Sequence, residues 1–151
     1  MARLIRRAVH VYWRFSRGMT LGVRGMVIDA EDRIFLIRHS YVPGWHLPGG
    51  GVEPGETLLH ALRREMQEEG NILFQAPPAF FGFYFNPVDS NRDHVALYVI
   101  RDFTQPTPPK PDAEIVEHGF FRRDGLPEET TPGTRRRIAE VMDGLLPQER
   151  W

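Results

Sequence analysis

Cysteine is absent from all 151 residues, which excludes disulfides, thiolate metal sites and a cysteine nucleophile. No apolar run approaches the roughly 18–20 residues of a membrane span, so no spanning helix and no membrane partner are expected. Neither sign of charge is in excess, with 19 basic and 20 acidic residues. The formal net charge is -1, which gives no bulk electrostatic case for nucleic acid. Lysine is scarce: Lys110 stands alone among 19 basic residues, a skew that fits genome composition better than arginine's bidentate grip on phosphate. The histidines at 39, 46, 60, 94 and 118 show no metal-ligand spacing, and no serine sits in a nucleophile-elbow context.

What remains is one ordinary domain, residues 1–151, with 41% hydrophobic residues and enough apolar side chains for a core. Residues 1–24 hold six arginines and no acid, with Leu4, Ile5, Ala8, Val9, Tyr12 and Trp13 at helical spacing. The expectation for 1–19 is an amphipathic helical extension that packs on the domain edge or forms a homodimer contact. Large aromatics and few serines argue against a transit peptide.

Periodicity predicts strands over Thr20–Asp29 and Arg33–Arg38, joined as a hairpin at Ala30–Asp32. Trp45–Leu47 is a short strand running into Pro48 and three glycines. A helix over Thr57–Glu69 carries the apolar stripe Leu58, Leu62 and Met66. Strands follow at Ile72–Gln75, Phe80–Phe85, His94–Phe103 and Ile115–Phe121, with a proline-rich loop at Gln105–Pro111 and a closing helix over Gly133–Leu145. The fold class is α/β with mixed strands.

The informative stretch is Gly50 to Ile72, G-G-V-E-P-G-E-T-L-L-H-A-L-R-R-E-M-Q-E-E-G-N-I. Spacings of three and four put Glu65, Glu68 and Glu69 on one helical face, close together and at the helix C-terminus. Like charges there oppose both one another and the macrodipole, at about 0.3–1 kcal/mol each. Such local frustration marks function. Converging carboxylates make an oxygen cage suited to Mg²⁺ or Mn²⁺.

Gly50, Glu56, Arg64-Glu65 and Glu68-Glu69, entered through Trp45-His46-Leu47-Pro48-Gly49-Gly50, resemble the Nudix box, the signature of hydrolases acting on a nucleoside diphosphate linked to another group. Chance agreement at these positions is on the order of 10⁻⁷ at average residue usage. The resemblance implies a Nudix-like α/β/α sandwich around a mixed β-sheet, a Mg²⁺ or Mn²⁺ cofactor, and a small-molecule nucleoside diphosphate derivative as substrate. It also implies site roles: Glu68 and Glu69 as main metal ligands with the Gly50 carbonyl, Glu65 as a further ligand or the base, Arg64 holding the glutamates, and Glu56 paired with Arg64. Where the family has glycine this chain has Asn71, the next-best residue for a left-handed helix stop.

Family members recruit another acid late in the sheet, and Glu114 and Glu117 are the candidates. Pro87, fifteen residues past Ile72, resembles the ADP-ribose pyrophosphatase branch, so ADP-ribose or a nucleotide sugar heads the expected substrates. The alternatives are a nucleoside triphosphate pyrophosphohydrolase and a nucleotide-sensing module without turnover. Trp45, Phe81, Tyr84 and Phe85 could stack a base, though aromatics at alternating strand positions are more often core. The loop Ser90–His94 reads as a polar connection, and Arg135 to Arg137 as a solvated helix face. The expected compartment is cytoplasmic.

Overall fold

Apolar residues on both faces of the central strands dictate a layered structure. In the computed structural model, which describes Tyr12 and residues 18–88, 90–111 and 113–151, alternate residues of each central strand point into two separate cores. Strand β1 (Thr20–Val27) sends Val23 and Val27 to one side and Met26 to the other; β2 (Ile34–His39) likewise divides Phe35 and Ile37 from Ile34 and Leu36. One core is closed by helix α1 (Leu58–Gly70) through Ala61, Leu62 and Met66. The other is closed by helix α2 (Pro132–Met142) through Ile138. This is the α/β/α arrangement.

The remaining strands are β3 (Trp45–His46), β4 (Gly49–Gly51), β5 (Leu73–Phe74), β6 (Ala79–Phe85), β7 (Asp93–Ile100), β8 (Phe103–Thr104) and β9 (Ile115–Phe121). They form sheets in the orders β4-β1-β7-β6, β3-β2-β9 and β5-β8. The β1–β7 pair is parallel and the other strand pairs are antiparallel, so the structure is mixed.

The structure corrects several sequence expectations. β1 and β2 do not continue as a paired hairpin: they lie in different sheets, and the pairing between them is confined to the turn, at the bridge of Ile28 to Ile34. Asp29 builds the turn between them: its amide donates to the Arg33 carbonyl at 3.0 Å, its carboxylate accepts from the Glu31 and Arg33 amides at 3.1 and 2.8 Å, and Asp32 turns left-handed at φ 56°. The expected strand His94–Phe103 divides into β7 and β8, and Ile72 leaves its strand to sit fully buried in the α1 core. α2 starts at Pro132, capped by the Thr131 hydroxyl, and stops before Leu145. The segment 1–17, with the extension and dimer contact expected there, lies outside the described residues except for Tyr12. Among the described residues, no helix is long and apolar enough to cross a membrane.

α1 owes its limits to identifiable caps. Thr57 accepts from the His60 amide at 3.2 Å, and Asn71 ends the helix at φ 51°, ψ 38°. The Asn71 amide donates to Gln67 and the Ile72 amide to Met66, the paired bonds of a left-handed stop. The Asn71 side chain then donates to the Thr107 carbonyl and hydroxyl at 3.0 and 2.9 Å, anchoring the proline-rich loop. Asn71→Ala is expected to destabilise the fold by about 1–2 kcal/mol, from left-handed strain alone. Asn71→Gly should lose less, since it relieves strain while giving up the loop contacts. Chemical denaturation of the two variants checks the order.

Candidate active site

The end of α1 is held over the glycine strand β4, and this contact builds the site. Gly49 sits at φ +140°, where an added Cβ would lie 2.0 Å from the Val23 carbonyl oxygen, so only glycine fits against β1. A Cβ on Gly50 would come 2.5 Å from Glu65 Oε1, so the glycine pair lets the helix carboxylates approach the backbone. The Gly49 amide donates to Glu69 Oε2 at 2.6 Å. Arg24, next along β1, donates to the Gly49 and Leu47 carbonyls.

Arg64 holds the loop–helix junction. Its guanidinium donates to both Glu56 oxygens at 3.1 and 3.0 Å, to Glu65 Oε1 at 2.6 Å and to the Gly51 carbonyl at 3.0 Å. The expected Glu56–Arg64 pair is therefore present. The arginine holds the Glu56 carboxyl down at about 2, with the Glu53 amide helping.

Burial separates the three helix carboxylates. Glu65 and Glu69 are buried, whereas the Glu68 side chain is 61% exposed and stands 3.5 Å from Arg64, away from the cavity. Desolvation raises the Glu65 carboxyl, against the pull of Arg64. It pushes Glu69 further, up to about 8, against the Gly49 amide and Arg24. A carboxylate this starved of solvent is the group that a hard cation would relieve.

The structure adds a partner that the sequence reading passed over. His39, at the end of β2, brings a ring nitrogen within 4.8 Å of carboxylate oxygens of both Glu69 and Glu114. Glu114 arrives because the loop before β9 is tied to the residue after His39: Ser40 donates from its amide to the Glu114 carbonyl and from its hydroxyl to Ala113. Tyr41 donates to Glu114 Oε1 at 2.8 Å, and burial together with this bond raises its phenol to about 12. Burial, with Arg24 and His46 nearby, lowers His39 from its ordinary 6.5, which favours the neutral ring. No local spacing announces a group drawn from β2, α1 and the β9 loop.

Glu117 goes elsewhere. It is half exposed and pairs with Arg38 across β2–β9 at 2.7 Å. Glu65, Glu69, Glu114, His39 and the glycines of β4 instead line a cavity of about 670 Å³, within the range of small-molecule sites. Thr131, Arg136 and Trp151 line it as well. Tyr84 is fully buried and Trp45 packs edge-on against Phe121, so these two aromatics belong to the core. The donor set of carboxylates, backbone carbonyl and one imidazole suits a divalent cation.

A family model described as the NUDIX domain matches residues 18–141. The chain belongs to the Nudix family. A putative 8-oxo-dGTP diphosphatase from Bacillus subtilis is 36% identical to this Nudix chain over 76 residues, half of each protein. An RNA pyrophosphohydrolase from Legionella pneumophila is 40% identical over 52 residues, 34% of this chain and 30% of its own. The chain thus spans half or less of these curated relatives. Among solved structures, the MutT NUDIX hydrolase of Burkholderia pseudomallei superposes with a TM-score of 0.69 at 25% identity, covering 81% of this chain and 97% of its own. A MutT protein from Bacillus halodurans, at 19% identity and a TM-score of 0.68, shares the fold over 87% of this chain.

Proposed function

We propose that this Nudix domain is a divalent-metal-dependent pyrophosphohydrolase acting on a nucleoside diphosphate derivative. The observation that carries the reading is Glu69, buried, fixed by the Gly49 amide and opening onto a cavity beside Glu65 and Glu114. A cavity lined by these acids would repel a diphosphate. A bound divalent cation would supply the missing positive charge and acidify a water. Glu69, Glu65, the Gly50 carbonyl and Glu114 would hold it, with Glu68 on the solvent side.

The protein's own side chains would do the rest. Arg24 and Arg136, which both line the cavity, would draw in phosphate oxygens. Glu114 or Glu65 would accept the proton of the attacking water, a step worth typically 10²–10⁴ in rate. The water oxygen bonds to phosphorus, the anhydride P–O bond breaks, and a nucleoside monophosphate leaves with the other phosphorylated half. Arg64 would act by holding Glu65 in place.

Two substrate classes fit. The name of the Bacillus subtilis relative favours a nucleoside triphosphate. The Pro87 turn favours ADP-ribose or a nucleotide sugar, since its neighbours Asn86 and Val88 line the cavity. A panel of 8-oxo-dGTP, ordinary nucleoside triphosphates, ADP-ribose, nucleotide sugars and 5′-triphosphorylated RNA, read by product phosphates with and without Mg²⁺ or Mn²⁺, should show metal-dependent turnover of at least one. Tight binding without product across the panel would replace catalysis with nucleotide sensing.

A further inference from the structure

We propose that His39 is a nitrogen ligand of the divalent cation held by Glu69 and Glu114, making the centre a mixed oxygen–nitrogen site that favours first-row transition ions over Mg²⁺. This rests on the reading of the acidic cavity as a metal centre. It assigns to the histidine a role that the box carboxylates do not fill.

The geometry is that of donors gathered for one ion. Ring nitrogen and both carboxylate oxygens lie within 4.8 Å of one another, from three elements far apart in sequence. Glu69 uses Oε2 for the Gly49 amide and turns Oε1 towards the imidazole, with His39 Nε2 3.7 Å away. That is too long for a hydrogen bond. Donors sharing a cation at about 2.1–2.2 Å stand roughly 3.0–3.5 Å apart, so a small side-chain adjustment brings the pair together.

The imidazole is not explained by packing alone. Its side chain is only 7% exposed, yet Nδ1 is buried with no hydrogen-bond partner among the described residues. A buried ring nitrogen without a partner is uncommon, so the ring is not locked by a bond from Nδ1, and Nε2, the nitrogen that faces Glu69, is the atom offered to the cation. The β2–β9 register also shifts between Arg38 and His39, an irregularity of the kind that re-aims side chains beside active sites.

Metal preference follows from donor chemistry. Oxygen-only cages suit Mg²⁺, whereas an imidazole adds affinity that rises along the first transition row. Mn²⁺ is the convenient probe. The full chain, loaded with substoichiometric Mn²⁺ and carrying ¹⁵N-histidine, should show histidine nitrogen coupling by pulsed electron paramagnetic resonance. His39→Gln should lose the coupling and bind Mn²⁺ at least about tenfold more weakly, while Mg²⁺ affinity changes less. His46→Gln, which alters the other cavity histidine, should keep the coupling, so the assignment stands even if the His39 variant fails to fold.

Bound Mn²⁺ without nitrogen coupling in the unaltered chain would overturn the proposal and leave the carboxylate centre intact. Coupling that vanishes in His46→Gln, or survives in His39→Gln, would overturn it too. No Mn²⁺ binding at all would sink the metal centre on which it rests.

Discussion

Glu69→Gln is expected to lower kcat by about 10²–10³-fold on any substrate the panel identifies, with the fold retained. The magnitude is that of removing one preorganised charge-stabilising group from a closed site. Glutamine keeps the shape of the side chain and an oxygen that can accept the Gly49 amide, now at 2.6 Å from the carboxylate. It removes the charge that a cation needs. Glu68→Gln should fall less, because that side chain is 61% exposed and outside the cavity wall. Steady-state kinetics at saturating Mg²⁺ and Mn²⁺ tests both. Wild-type turnover by the Glu69 variant would show that the buried carboxylate is structural only.

The same substitution has a signature in stability. In chelator, Glu69 titrates near 8 in the folded chain against an ordinary 4.5, with burial as the leading cause. Between those values the folded protein holds a proton that the unfolded chain has released. Stability contributed by this group is therefore full below pH 4.5 and declines as pH rises to about 8, by at most about 1.4 kcal/mol per pH unit. Glu65, also raised by burial, adds a decline of the same sign. His39, lowered by burial, acts oppositely around and below its ordinary 6.5. Denaturant melts in chelator at pH 5 and pH 8 should thus diverge more for the native chain than for Glu69→Gln, and added divalent cation should recover most at pH 8.

Legibility in the sequence followed distance along the chain. The box disclosed its helix, its glycine entry, the Glu56–Arg64 pair and the left-handed Asn71, because each depends on neighbours within about one helical turn or one loop. Alternating apolar residues disclosed the strands and the layered fold. Pairing was less visible. Thr20–Val27 and Ile34–His39 flank a turn and look like a hairpin, yet each is buried on both faces and so belongs in the middle of a different sheet. The assembly of His39, Glu69 and Glu114 depended on the Ser40–Glu114 backbone bond, a contact across 74 positions with no local pattern. The difference between Glu68 and its neighbours was hidden too, since helical spacing puts all three on one face but not at one depth.

Arg137 is the other residue that local pattern misassigned, and removing it should have the largest effect on stability. Three consecutive arginines on a terminal helix read as a solvated face, but Arg137 is fully buried while Arg135 and Arg136 are not. Its guanidinium donates to Glu140 Oε1 at 2.6 Å and to the Arg150 carbonyl at 2.8 Å, and lies 4.3 Å from the centre of the Tyr84 ring. Glu140 in turn accepts from the Tyr84 hydroxyl at 2.9 Å, so one charge pair ties α2 to β6 and to the following tail. The tail adds to the β6 edge: the Phe85 amide donates to Glu149, and the Trp151 amide to Phe85. Arg137→Met strands the buried Glu140 carboxylate, which should cost about 3–5 kcal/mol. At roughly 2–4 °C per kcal/mol for a chain of this size, Tm should drop by about 6–20 °C. Removing both charges, Arg137→Met with Glu140→Leu, should recover more than half of the loss, because no uncompensated ion remains and only neutral groups, the Tyr84 hydroxyl, the Gln148 amide and the Arg150 carbonyl, lose a partner. Activity should fall with the single variant as well, since Arg136 and Trp151 on the cavity wall are positioned by the same contacts. A Tm within 2 °C of the native chain would mean that the network is incidental and that the apolar contacts of Ile138, Val141 and Met142 hold α2 in place.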